Sequence, residues 1–89
     1  METKFPLGCT VITPHAQLVL HPEDVHNCLL RHSAGDWGDV GTHDYDENEF
    51  ALDKRLRLFS VYHDRSGQKF WIITEADRSV TTILMPEDY

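Results

Sequence analysis

Apolar residues recur at helical spacing in the first half of the chain and in strand-like runs in the last third. Val25, Cys28, Leu29 and His32 are spaced to line one stripe of a helix opening at Pro22, where Glu23 and Asp24 suit the positive end of the helix dipole. Before it, Gly8 to Ile12 reads as a short strand. Thr13-Pro14 then starts a short helix whose apolar side is Ala16, Leu18, Val19 and Leu20, with threonine as N-cap and proline at the first helical position. Asp46-Glu47-Asn48-Glu49 has the D-x-x-E form of a capping box and predicts a third helix through Phe50, Ala51 and Leu52 to about Lys54.

From Arg57 the period changes to that of strands. Arg57–His63, Phe70–Thr74 and Val80–Met85 are rich in β-branched, aromatic and large apolar residues, and they are separated by Asp64-Arg65-Ser66-Gly67 and Ala76-Asp77-Arg78-Ser79. Pro86 ends the last run. A three-residue loop closed by a left-handed Gly67 sets Tyr62 opposite Phe70, Val61 opposite Trp71 and Arg57 opposite Glu75. The expected fold is α+β, with N-terminal helices packed on a C-terminal antiparallel β-meander of three to four strands. Residues 1–89 form a single α+β domain in this reading. Its core is Val25, Leu29, Phe50, Leu58, Val61, Ile72, Ile73, Ile83 and Leu84.

Between helices and meander, Gly35, Gly38 and Gly41 mark a bent loop, with Trp37 as its anchor and Asp36 and Asp39 as turn or cap acceptors. Charge is uneven along the chain. Of a net charge of −7, seven acids fall between Asp36 and Asp53 with no lysine or arginine among them, and six basic residues against three acids follow from Lys54 to Arg78. An acidic lobe beside a mildly basic sheet is the expected result.

No apolar run of about 18 residues is present to span a bilayer, and Met1 to Pro6 lacks the long apolar segment of a signal peptide, so a cytoplasmic protein without membrane contact is expected. Cys9 and Cys28 are then two reduced, buried thiols. Six histidines without H-E-x-x-H, C-x-x-C or a repeated ligand pair predict no metal, and the absence of a phosphate-binding or dinucleotide fingerprint predicts no cofactor.

Two polar groups remain as candidate sites. His32, Asp36, Trp37 and Asp39 lie in or beside the glycine loop, where a histidine and two carboxylates adjoin flexible backbone. Arg57, Ser60, Tyr62, Thr74, Glu75, Arg78, Ser79, Thr81 and Thr82 lie on the meander. Metal-free RNA cleavage needs a base, a cation for the phosphorane and hydroxyls for the phosphate, and these residue types supply them. The catalytic candidates are therefore His32, Arg57, Ser60 and Thr82; the binding candidates are Asp36, Trp37, Asp39, Glu75 and Arg78. The bland reading is a cross-strand Arg57–Glu75 pair and ordinary strand threonines.

The stretch from His32 to Tyr89 carries Gly35-Asp36-Trp37-Gly38-Asp39, Leu58-Phe59-Ser60-Val61-Tyr62, Trp71-Ile72-Ile73-Thr74-Glu75-Ala76-Asp77-Arg78-Ser79 and Thr81-Thr82-Ile83-Leu84. It resembles a family of short uncharacterised bacterial proteins carried on plasmids and integrative elements. In architecture, helices followed by a meander are similar to the barnase, colicin-type and RelE-like superfamily of ribonucleases and their inactive relatives. That likeness implies His15 or His32 as the helix-borne group, Arg57 as the first-strand cation and Thr81 or Thr82 as the late-strand hydroxyl. The chain departs from it in being acidic and in matching no catalytic motif.

Three functions follow as expectations. The first is an accessory protein of a mobile element that acts without catalysis through an unknown protein partner. The second is a metal-independent ribonuclease-like protein, or its inactive relative, with RNA as partner. The third is an acidic mimic of nucleic acid that occupies a host nucleic-acid-binding protein. Exposed sheet edges make a homodimer an expected state.

Overall fold

The computed structural model describes residues 2–89. Strand β1 (Cys9–Ile12) comes first, followed by helices α1 (Pro14–Val19), α2 (Pro22–Ser33) and α3 (Thr42–Lys54). Strands β2 (Leu58–His63), β3 (Lys69–Thr74) and β4 (Val80–Leu84) follow, and a 3₁₀ turn, Pro86–Asp88, closes the described chain. The mixed α+β class is as expected, but the sheet is not purely antiparallel. Its order is β1-β4-β3-β2, with β1 parallel to β4. The three helices make the crossover that a parallel pair requires, so they lie between strands in the sequence and do not simply precede the sheet.

The meander has the expected register. Tyr62 pairs with Phe70 and Val61 with Trp71, and Asp64 and Gln68 close a three-residue loop in which Gly67 is left-handed at φ 82°. Strict alternation then divides the sheet into two faces. Leu58, Ser60, Tyr62, Phe70, Ile72, Thr74, Thr81 and Ile83 are all buried and form the inner face. Ala16 and Leu20 of the α1 region and Val25 and Cys28 of α2 pack against it. The outer face carries Phe59, Val61, Trp71, Ile73, Thr82 and Leu84.

Helix α3 differs from expectation in two ways. It starts at Thr42, a turn before the Asp46–Glu49 box, with Gly41 as an N-cap that offers no side chain. Phe50, expected in the core, is 55 % exposed, while Asn48 and Ala51 are buried. The reason is placement: α3 lies along the edge of β2. There Asn48 donates from Nδ2 to the Phe59 carbonyl at 2.6 Å and accepts from the Phe59 N–H at 3.0 Å, imitating a neighbouring strand. A helix that serves a strand edge presents an amide and a small residue to it, and Phe50 points away. Leu29 is half-buried; the other seven expected core residues are buried.

Cys28 is buried, but Cys9, expected to be buried, is exposed on β1; both thiols are free. Thr13 caps α1 as expected, accepting from the Ala16 N–H at 3.2 Å. Gly8, at φ 67°, lets the backbone close onto Arg78 and Ser79, where a β-carbon would lie 2.3 Å from the Ser79 carbonyl oxygen. No described helix is long and apolar enough to cross a membrane.

Candidate functional site

The polar residues separate onto the two faces. On the inner face His32 is completely buried, its Nδ1 2.5 Å from Ser60 Oγ and its Nε2 2.9 Å from Thr74 Oγ1. Thr74 Oγ1 is 2.7 Å from Thr81 Oγ1, which donates to the Leu7 carbonyl at 2.7 Å. That last bond orients the whole chain of protons. Thr81 has spent its hydrogen on the carbonyl and must accept from Thr74, so Thr74 must accept from His32 Nε2–H. Nδ1 is then bare and accepts from the Ser60 hydroxyl. Burial holds the imidazole neutral, lowering its pKa to about 3, with the Arg78 charge adding to the effect.

A serine hydrogen-bonded to a bare imidazole nitrogen has the form of a nucleophile and its base. Here, however, His32, Ser60, Thr74 and Thr81 each have zero exposure, and Phe5 and Trp37 close over the imidazole edge-on at ring distances of 5.2 and 5.7 Å. No substrate reaches them in this state. Each donor and acceptor is matched, which is what lets a polar row sit in a core.

Arg57 and Thr82 are on the other side of the sheet. Arg57 Nε is 3.6 Å from Glu75 Oε1, its Nη1 donates to the Tyr89 hydroxyl at 2.7 Å, and its guanidinium carbon lies 5.4 Å from the Tyr89 ring centre. These contacts raise its pKa, the Tyr89 hydrogen bond foremost. Thr82 stands opposite Ile73, half-buried. The four catalytic candidates thus divide two and two across a layer of backbone, and no one site can use them together.

The loop candidates are tied into the fold. Trp37 is 1 % exposed and donates from Nε1 to Glu49 at 2.8 Å. Asp36 takes two bonds from Arg31, at 2.8 and 3.3 Å, and one from the Gly38 N–H at 3.2 Å, which hold its carboxyl below the usual range, Arg31 first. Its carbonyl accepts from the Tyr62 hydroxyl. Asp39 pairs with His63 at 2.7 Å. Arg78, in the left-handed region at φ 63°, turns inward and donates to the carbonyls of Leu56 at 2.6 Å and Ala51 at 3.0 Å, with weaker bonds to Glu75 and Ala76. Desolvation lowers its pKa, and no carboxylate partners it among the described residues.

The outer face holds an accessible hollow of about 490 Å³. Phe59, Trp71 and Ile73 line it from the sheet, Arg57 and Tyr89 stand at one side, and His43, Asp44, Glu47 and Asn48 of α3 form the opposite wall. Phe59, Trp71 and Tyr89 meet edge to face at ring distances of 5.0 and 5.8 Å. Sequence reasoning did not select Phe59, Trp71, Tyr89 or Asn48 as functional. The signal for Trp71 was present, since β3 is apolar on both faces while helices cover only one.

Among the described residues no three His, Cys, Asp or Glu side chains are grouped to hold a metal ion. Compared with protein-family models, curated proteins and solved structures, the chain matches none.

Proposed function

We propose that this protein is a non-catalytic binding protein whose working surface is the outer-face hollow, and that it takes a basic segment of a partner protein there. The observation that carries this reading is the hollow itself: the half-buried rings of Phe59 and Trp71 and the exposed ring of Tyr89 beside the carboxylates of Asp44 and Glu47, with its one arginine already facing Glu75. A lysine or arginine side chain laid over Trp71 gains a cation–π contact, about 0.5–2 kcal/mol, while its head meets the α3 carboxylates. Phosphate is disfavoured by those same carboxylates and by the net charge of −7. Burial of His32 and Ser60 supports a role without catalysis. Nucleic-acid-binding proteins are rich in basic segments, so a host or element-encoded protein of that class joins the first and third expectations. The setting, a bacterium carrying a mobile element, rests on the family resemblance.

Short arginine- and lysine-containing peptides and an RNA oligonucleotide are the probes. Trp37 is buried, so acrylamide quenching of fluorescence reports mainly on Trp71. Basic peptides should protect Trp71 with micromolar to millimolar affinity that weakens in salt, and Glu47→Gln, which leaves the reporting ring in place, should reduce it. Cleavage of RNA, or RNA binding tighter than that of every basic peptide, would replace this reading with the ribonuclease-like one.

A further inference from the structure

The two edges of the sheet are treated differently. Along β2, Asn48 occupies the outward N–H and C=O of Phe59, and the glycine loop occupies those of Val61, with Val61 N–H donating to Trp37 at 3.1 Å and Asp39 N–H to Val61 at 2.7 Å. Along β1, Cys9 and Thr13 turn their N–H groups to Ser79 and Ile83 at 2.8 and 3.0 Å, so Thr10 and Ile12 direct theirs away from β4. No described residue takes up these outward groups. From Leu7 to Thr13 there is no charge and no proline, the residues that ordinarily blunt an open edge. Beside it on the inner face is a hollow of about 210 Å³ lined by Ile12, Leu20, Pro22 and Val25.

We infer that the chain forms a homodimer in which β1 pairs antiparallel with β1 of a second copy, joining two sheets into one of eight strands. A twofold axis requires identical strands to run antiparallel. The outward groups then set the register: Thr10 lies opposite Ile12 of the second copy, exchanging both backbone hydrogen bonds, and Val11 lies on the axis. Thr10 of the second copy falls beside Ile12, next to the apolar hollow. Charge favours this edge over the other. Acid-rich α3 flanks β2 at the far side of each sheet, so pairing through β1 sets the two β2 strands about 34 Å apart at ordinary strand spacing and the helices beyond them, well past the screening length of physiological salt. Pairing through β2 would bring them together.

Sedimentation velocity on the full chain should show a species of twice the chain mass. Thr10→Pro, which removes an outward N–H without touching the β4 ladder, should weaken the dimer about tenfold or more and leave the monomer's circular dichroism unchanged. Val11→Cys in a Cys9→Ser background should form a disulfide across the axis under mild oxidant. A chain that stays monomeric at every concentration overturns the inference and leaves the edge to a strand of another protein. A dimer that Thr10→Pro does not weaken, or that Val11→Cys does not cross-link, overturns the β1 pairing.

Discussion

The two faces of the sheet are made from alternate residues of the same strands, yet they solve the burial of polar groups in opposite ways. The inner face admits only groups that are neutral and fully matched. Ser60, His32, Thr74 and Thr81 pass one hydrogen bond to the next and finish on the Leu7 carbonyl, with no exposure at any of the four. The outer face keeps its ions at the surface, where the Arg57 and Glu75 side chains are 47 % and 44 % exposed, and leaves its aromatic rings half-open. A satisfied polar row is a core element, whereas an unsealed aromatic row is a surface available to a partner. Arg78, in the turn between β3 and β4, is the buried exception that keeps its charge, spread over backbone carbonyls.

The largest expected difference between the faces is in stability. Phe70 is completely buried, and Phe70→Ala should cost about 3–5 kcal/mol; half-exposed Phe59→Ala should cost roughly 1–2. Urea denaturation of both variants measures the gap. Equal losses would break the comparison, because they would mean that the outer face is as tightly sealed as the inner one.

The inner row also predicts a pH dependence. His32 titrates near 6.5 when unfolded and about 3 when folded, so between these values the unfolded chain binds a proton that the native one refuses. Above pH 6.5 the imidazole is neutral in both states and exacts nothing. As pH falls through the window, stability should drop by about 1.4 kcal/mol per unit from this group alone. Asp24, Asp36, Asp77 and Asp88 have lowered pKa values, so their stabilising contributions are lost only below about pH 4, and the range 6.5 to 4.5 isolates His32 from them. Denaturation midpoints taken across that range for wild type and His32→Gln measure it. The variant should start lower and show a flatter slope; an unchanged slope would mean that His32 already carries its proton in the native state.

The meander and its register were legible because alternation, a glycine turn and an arginine–glutamate pair all agreed. The parallel place of β1 was not, since four residues with no charge carry no mark of which edge they join. Phe50 was misplaced for a related reason: helical spacing identifies an apolar position, and α3 meets a strand edge, where an amide does more than a ring. Of the candidate sites, residue types alone suggested His32, Ser60 and Arg57 but not which side of the sheet each would take. Strand parity separates Ser60 from Arg57 once the register is known, and only the crossing of α2 over the inner face brings His32 to Ser60.

The smallest expected effect tests the outer face directly. Glu75→Gln removes one partner of an exposed pair and leaves Arg57 its hydrogen bond to Tyr89 and its position beside the ring. Such pairs contribute about 0–1 kcal/mol, because water already solvates both ions and two long side chains lose freedom in meeting. The melting temperature should therefore shift by no more than about 8 °C, less in high salt. A double-mutant cycle with Arg57→Ala, in low and high salt, separates the coupling from the loss of either side chain. Basic-peptide binding should weaken slightly in Glu75→Gln, since Arg57 is left less neutralised at the wall of the hollow. A coupling above about 2 kcal/mol would mean that the pair is desolvated like the inner row, and the distinction between a sealed face and an open one would fail at its most polar point.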